Sequence, residues 1–342
     1  MSPVNNLHPC SLLTPTMKKQ LFIGVDIGKS ELAICILNGE KRTHKLIANT
    51  PAAIKRWLKT LDTSIPIYLA MEHTGRYTRT LLNQLDESQV HIYVLNALDV
   101  KLKQGIQRGK SDPADALQIA THIKTYYQTK TVWIRPEPQL ESMQILLTRR
   151  RKLIRSRASE RAQLKELATC KDLDIYSDLT ECHNQQIRQL TQHITRVESM
   201  IKAVIRQSKI LKNQLKWLKS IPGVGNVLTW TMMAKTAGFT KIVNPRKLAC
   251  YAGVVPFQRS SGSSVRTRPR VSGYADKGFK TVLHMAAMSA VQYNQKLKDF
   301  YQKKVNLGKP KMSAINAVRN KLIHICFALV RDQRPYNPHF SP

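Results

Sequence analysis

Acidic residues are scarce in this chain. Across 342 residues, 22 Asp+Glu stand against 55 Lys+Arg, a formal net charge of +33. Beyond Glu198 only Asp276, Asp299 and Asp332 remain, so chemistry in that region has no carboxylate cluster to draw on. The imbalance excludes a cationic partner and points to a polyanion, found quickly and bound in a salt-sensitive way. Long apolar runs are also missing. None approaches the roughly 18 residues of a membrane-spanning helix. The basic residues are spread over several elements rather than along one amphipathic helix, which argues against a membrane surface as the polyanion. The six cysteines, Cys10, Cys35, Cys170, Cys182, Cys250 and Cys326, form no CxxC pair. Cys35 and Cys326 lie in apolar runs and read as reduced core thiols in a reducing compartment. A zinc site built from Cys170, Cys182, His183 and His193 would match no common ligand spacing. The opening MSPVNNLHPCSLLTPT lacks an apolar stretch of signal-peptide length. Residues 1–17 read as a disordered leader, with Met17 as an alternative start.

What is present is enough apolar content, 42%, for real cores, in a length that suits two or three domains. LFIGVDI and ELAICIL, split by GKS, predict strand, turn and strand, and THKLIAN a third strand. Thr50 as N-cap and Pro51 at the first helical position open a helix, AAIKRWLKTL. IPIYLAMEH reads as a buried strand, RYTRTLLNQL as a helix, HIYVLNA as a strand and DPADALQIATHIKTYY as a helix. Three strands followed by alternating helix and strand is the order of the ribonuclease-H-like, or RuvC-like, fold: α/β, a mixed sheet with helices on its faces. That domain is expected over residues 18–135. Two long charged amphipathic segments, ESMQILLTRRRKLIRSRASERAQLKEL and QQIRQLTQHITRVESMIKAVIRQ, follow, with KDLDIYSDLTECHN between them. They predict a coiled-coil helical hairpin over residues 136–218, against the plainer reading of a solvated helix pair inside one domain. A mainly helical C-terminal domain occupies residues 219–342. It starts at IPGVG, where Gly223 and Gly225 resemble the hairpin of helix-hairpin-helix modules and would let backbone N–H groups approach a phosphate. The plainer reading is a Gly turn before a core helix.

Four acids stand out against the basic background. Asp26 is in the first strand, Glu72 ends the fourth, and Asp112 and Asp115 lie three apart in the first turn of a helix. Phosphoryl transfer on nucleic acid uses divalent metal, and hard Mg²⁺, with Mn²⁺ as the substitute, takes oxygen ligands. The bland readings are capping for Asp112 and Asp115 and an ion pair with Arg76 for Glu72. A second constellation is Ser260-Ser261, flanked by Arg259, Arg266, Arg268 and Arg270. A serine hydroxyl can attack a phosphodiester where cations stabilise the developing charge. From the residues alone, a flexible basic loop that merely contacts phosphate is the preferred reading.

VDIGKSE, AMEHTGRY, KSDPADALQIA, IPGVG and YAGVVPFQRSSG…KGFKTVLHMAA, in that order, resemble the DEDD-motif insertion-sequence transposases, whose relatives include DNA invertases of the Piv type. The resemblance runs from about Leu21 to Val291. It implies a RuvC-like domain whose DEDD acids are Asp26, Glu72, Asp112 and Asp115, a coiled coil, and a transposase domain with a nucleophilic serine. It further implies a homotetramer, a dimer of dimers, in which the acids of one subunit meet the serine loop of another. A bridge RNA would pair donor and target DNA. The serine corresponds to Ser260 or Ser261, with Ser260 favoured. Family members usually follow that serine with a second Gly and a Lys, and later carry Ser-Lys-Arg-Gly. Here Arg266, Arg268 and Lys277 replace those cations or the loop is impaired; Lys280 adds a further positive charge. The expected function is therefore an RNA-guided DNA recombinase of the bacterial cytoplasm and nucleoid. It would act through a covalent phosphoserine and Mg²⁺. The alternative is a RuvC-like junction-resolving nuclease that hydrolyses with the acids alone.

Overall fold

The computed structural model describes residues 19–72, 75–96, 100, 111–261 and 265–338. The expected leader lies outside them. The chain forms two compact units, residues 1–135 and 136–342.

The first unit is a five-stranded mixed sheet between helical layers. Its strands are β1 (Leu21–Ile27), β2 (Glu31–Asn38), β3 (Lys41–Ala48), β4 (Ile67–Glu72) and β5 (Val90–Leu95), in the order β3-β2-β1-β4-β5. β1 to β3 are antiparallel neighbours, while β4 lies parallel to both β1 and β5. The architecture is consistent with a RuvC-like α/β fold. Both faces of the sheet are covered, so the central strands read as apolar runs rather than alternating ones. One face carries Ile23, Val25, Ile34, Leu69 and Met71 against Ile54 and Trp57 of α1 (Pro51–Leu58) and Leu81 of α2 (Thr78–Leu82). Thr50 caps α1 as expected, its hydroxyl accepting from the Ala53 N–H at 3.4 Å. α2 is shorter than the predicted helix, because a 3-10 turn, Gly75–Tyr77, precedes it.

The other face carries Phe22, Ala70 and Tyr93 against Ile119 and Ile123 of α3 (Asp112–Tyr126). Ala33 and Cys35 of β2 pack there against Ala116 and Ala120 of the same helix. Gly24 allows this contact. A Cβ on it would lie 2.2 Å from the Ala116 carbonyl oxygen and 2.3 Å from the Ala120 nitrogen. The helix backbone rests directly on β1, and no flexible side chain is available to yield. Gly24→Ala is therefore expected to destabilise the protein by about 3 kcal/mol, the upper range for overpacking. Denaturant titration checks this, and an unchanged midpoint would remove α3 from that face.

The second unit is helical apart from one β-hairpin. α4 (Pro138–Leu167) and α5 (Tyr176–Arg206) form an antiparallel hairpin. Its register is marked by Arg150 Nε to Glu198 Oε1 at 2.7 Å, Arg157 to Thr191 at 3.2 Å, and His183 Nδ1 to Glu160 Oε2 at 2.8 Å. α5 begins nine residues before the predicted segment. Tyr176, Leu179, His183 and Ile187 continue the helical stripe through what reads as a polar break. The inner ends, with Leu140, Met143, Ile194, Ile201 and Ile205, belong to the same core as the helices that follow. At the outer end Leu173, Ile175 and Leu179 are exposed. α6 (Lys209–Lys219), α7 (Asn226–Lys235), α8 (Pro245–Tyr251), α9 (Lys277–Tyr293), α10 (Gln295–Asn306) and α11 (Lys311–Arg331) enclose Trp230, Met233, Phe279, Leu283 and Leu322. No helix among the described residues is long and apolar enough to cross a membrane.

Candidate functional site

Asp26 is the sixth residue of β1, and Glu72 is the last of β4. The parallel ladder between these strands ends at Val25 opposite Met71, so the two acids follow side by side at the carboxyl ends of adjacent strands. Carboxyl ends of parallel strands are where open α/β sheets present ligand sites. Strand alternation places both acids on the face that α3 covers, with Phe22, Gly24 and Ala70. Asp26 pairs with Ala33 across the antiparallel ladder. Both acids are half-buried.

Asp112 and Asp115 occupy the first turn of α3 on this same face. The N-cap is Ser111, in extended conformation (φ −145, ψ 145), and Asp112 is already helical. The capping reading of Asp112 is thereby corrected: the extended residue is Ser111, and Pro113 sits inside the first turn, where a missing N–H costs no intrahelical bond. Asp115 remains in the turn where the helix dipole favours a negative charge, and its N–H donates to the Ser111 carbonyl at 3.0 Å. Asp112 lines a cleft of ≈ 380 Å³ with Glu31, Ala33 and His44, on the β2 side of β1. Glu72 is on the β4 side.

The donor set is all carboxylate, the right kind for a hard divalent ion. Mg²⁺ is commonly held by one or two carboxylates together with substrate phosphate oxygens and water. The adjacent pair Asp26 and Glu72 suits that mode. Among the described residues no group of three or more His, Cys, Asp or Glu is arranged to hold an ion by itself. That finding also leaves the Cys170–Cys182–His183–His193 idea without a cluster, and His183 faces Glu160 instead. The Arg76 side chain, offered as a partner for Glu72, lies outside the described residues.

The serine segment is not the loop it reads as. It forms a β-hairpin of β6 (Phe257–Ser261) and β7 (Val265–Arg270). The register sets Ser260 opposite Arg266, Ser261 opposite Val265, and Arg259 opposite Thr267, with a shift between Phe257 and Arg259. Arg268 and Arg270 lie in β7, Arg270 opposite Phe257. Positions directly opposite in an antiparallel pair are within about 5.5 Å at Cα. Gly223 has φ +84, and a Cβ on it would meet the Ala290 backbone of α9 at 2.5 Å. Close packing against α9 thus accounts for this glycine. Gly225 is exposed and is the N-cap of α7.

Lys277 and Lys280 start α9, whose N-cap is Asp276. The carboxylate accepts from the Phe279 N–H at 2.9 Å and pairs with Lys235 Nζ at 2.7 Å. Burial alone would raise the Asp276 pKa, but Lys235, the Phe279 N–H and the Tyr251 hydroxyl outweigh it and hold the carboxyl below the usual range. Burial likewise opposes the Lys235 charge, and Asp276 and Tyr251 more than restore it, so the ammonium is held above its usual range. The Asp276 contribution to stability is therefore full above the ordinary carboxylate pKa and is lost as pH falls through the depressed folded value. The Lys235 contribution is full below the ordinary lysine pKa and is lost as pH rises through the raised one. Asp276→Ala should cost about 2 kcal/mol, the upper range for an N-cap, in urea unfolding at neutral pH. The deficit should shrink at the acid end.

Sequence reading passed over Arg319. It lies on α11 among Ile315, Leu322 and Ile323 and is 5% exposed. The signal in KMSAINAVRNKLIHICFALV is that Arg319 keeps helical spacing with the apolar residues Ile315, Leu322 and Ile323.

Residues 23–170 match the family model for DEDD transposases of the IS110 type, a span that holds Asp26, Glu72, Asp112 and Asp115. Residues 215–302 match the model described as the transposase IS116/IS110/IS902 family, a span that holds the β6–β7 hairpin. The chain is 24% identical to the pilin gene-inverting protein of Moraxella bovis over 327 residues, covering 92% of this chain and 97% of that protein. The Moraxella lacunata protein of the same name gives the same identity and coverage. A protein of insertion element IS116 from Streptomyces clavuligerus is 25% identical over 134 residues, 39% of this chain and 33% of that protein. Both models describe transposases of one kind and together they span more than half of the chain, in the order that its two units present them. The chain belongs to the IS116/IS110/IS902 family of transposases, enzymes that cleave and rejoin DNA.

Proposed function

We propose that this transposase breaks and rejoins DNA through a covalent phosphoserine at Ser260, with Asp26, Glu72, Asp112 and Asp115 serving a divalent ion, Mg²⁺ or Mn²⁺. The Ser260 Oγ forms a bond to phosphorus as the bond from phosphorus to the departing deoxyribose oxygen breaks. The serine proton is balanced by the one gained by the released hydroxyl, and the phosphodiester count is unchanged. Rejoining runs the same exchange with a hydroxyl from another strand, so no external energy source is needed. Arg259, Arg266, Arg268 and Arg270 counter the charge on the phosphate. The ion, when bound, supplies Lewis-acid polarisation of that phosphate. Asp26 and Glu72 orient it from adjacent strand ends, and the first turn of α3 brings further negative charge to the same face.

The observation that carries the serine reading is the hairpin register. Ser260 stands opposite Arg266, whereas Ser261 stands opposite Val265. The acids and the serine belong to different compact units, which suits a composite centre shared between subunits of a tetramer, a dimer of dimers. The α4–α5 hairpin, with its exposed outer apolar residues, would serve as the coiled-coil arm of that assembly. The large positive charge suits simultaneous binding of donor DNA, target DNA and a bridge RNA in the bacterial cytoplasm and nucleoid.

The test mixes the protein with Mg²⁺, the RNA transcribed beside its gene and labelled DNA carrying the element ends, then denatures. A labelled protein–DNA adduct whose phosphopeptide maps to Ser260 is expected. Cleavage without an adduct would move the assignment to a hydrolytic, RuvC-like nuclease.

A further inference from the structure

A cleft of ≈ 560 Å³ opens between α9 and α11, beside Val271, the residue that follows β7. No carboxylate lines it. Lys277, Lys280 and Thr281 from α9 stand at it, and Arg319 from α11 is buried in its wall. Arg319 Nη2 is 2.5 Å from His284 Nδ1, and Nη1 is 3.3 Å from Asn316 Oδ1. The Asn316 amide is itself fixed, donating to the Val254 carbonyl at 2.6 Å. Guanidinium only donates, so His284 Nδ1 accepts and Nε2 carries the ring hydrogen. Burial and the neighbouring Arg319 charge both push the His284 pKa below its ordinary value, so the ring is neutral at neutral pH. Arg319 Nε is buried with no acceptor, and among the described residues no carboxylate pairs with this guanidinium. A buried cation that faces two neutral groups and leaves a donor unused lacks its counter-anion. Two further lysines at the same cleft, with no acid between them, supply a field that only an anion relieves.

We propose that this cleft seats one phosphodiester of a nucleic-acid strand, gripped by Arg319 within and by Lys277 and Lys280 at the opening. The strand is led there from the adjoining β6–β7 hairpin. That the strand is the recombining DNA rests on the function proposed above; the seat itself does not. An oxyanion suits Arg319 because a guanidinium can offer two parallel donors to two phosphate oxygens.

Full-length protein is titrated into labelled duplex DNA in EDTA at several salt concentrations, so that no cleavage contributes. Lys280→Gln and Arg319→Gln should each reduce the slope of log affinity against log salt by about 0.9, one phosphate contact, and weaken binding about tenfold at 0.1 M salt. The double variant should lose no more slope than either single, because the one phosphate is held only when both groups grip it. An unchanged slope in Lys280→Gln, or additive losses, would overturn the seat. If Arg319→Gln fails to fold, Lys280→Gln and Arg319→Lys carry the comparison, with Arg319→Lys keeping the wild-type slope. Inorganic phosphate should raise the melting temperature of the wild type more than that of Lys280→Gln. Phosphate stabilisation with an unchanged DNA slope would make it a free-anion site and overturn the nucleic-acid assignment. Formation of the serine adduct in Mg²⁺ is read separately and is not decided by these outcomes.

Discussion

Ser260→Ala is expected to yield no protein–DNA adduct, whereas Ser261→Ala should retain it. Alanine removes the only atom that can bond to phosphorus at that position and leaves the backbone of β6 unchanged. Loss of a nucleophilic serine elsewhere costs about a millionfold in rate, so the adduct falls below detection on a denaturing gel. Binding of labelled DNA, measured by anisotropy, stays within about twofold, because affinity comes mainly from phosphate neutralisation by the basic residues. The contrast between the serines follows from register: Ser260 is opposite a cation, and Ser261 is opposite Val265. An adduct that survives Ser260→Ala and disappears in Ser261→Ala would transfer the role. An adduct surviving both substitutions would end the assignment to this hairpin.

Asp26→Asn is expected to slow strand cleavage by about a thousandfold or more while DNA affinity is kept. The amide matches the carboxylate in shape but is a weak ligand for a hard ion. The loss corresponds to about 4 kcal/mol of transition-state stabilisation, within the several kcal/mol that a bound ion supplies. Affinity is preserved because the change makes an already cationic protein one charge more positive. Glu72→Gln should act similarly, since the two acids end adjacent strands. Single-turnover cleavage with Mg²⁺, repeated with Mn²⁺, measures both variants. Wild-type recombination by Asp26→Asn would remove the metal role from this strand end.

Much of the first unit was legible because its signals are periodic and local. Apolar runs of strand length, a Thr-Pro helix start and alternating helix and strand led to the mixed sheet. The errors came where composition and periodicity disagree. The segment 171–184 is rich in Asp, Ser, Thr and Asn and reads as a break. Yet Tyr176, Leu179 and His183 keep helical spacing, and packing against α4 decides for helix. The segment 257–270 looks like a basic loop because Arg and Ser dominate it. Strand pairing forms once its two arms meet, and Val265 and Thr267 are good strand residues. Asp112 looked like a cap, yet Ser111 is the extended residue and Asp112 is already helical, since the first turn tolerates Pro113.

The sequence by itself determined the charge, the class of partner, the four acids, the serine pair and the order of elements. Each of these depends on residue type or on spacing within a single element. Tertiary structure alone decided which acids are neighbours. Asp26 and Glu72 are distant in the chain and adjacent only because β4 inserts beside β1, and Asp112 faces the β2 side because α3 rests on Gly24. It also decided that Arg319 is a buried cation facing His284 across two helices. An arginine at helical spacing with apolar residues can reach water or stay inside, and only the packing of α9 against α11 selects the second.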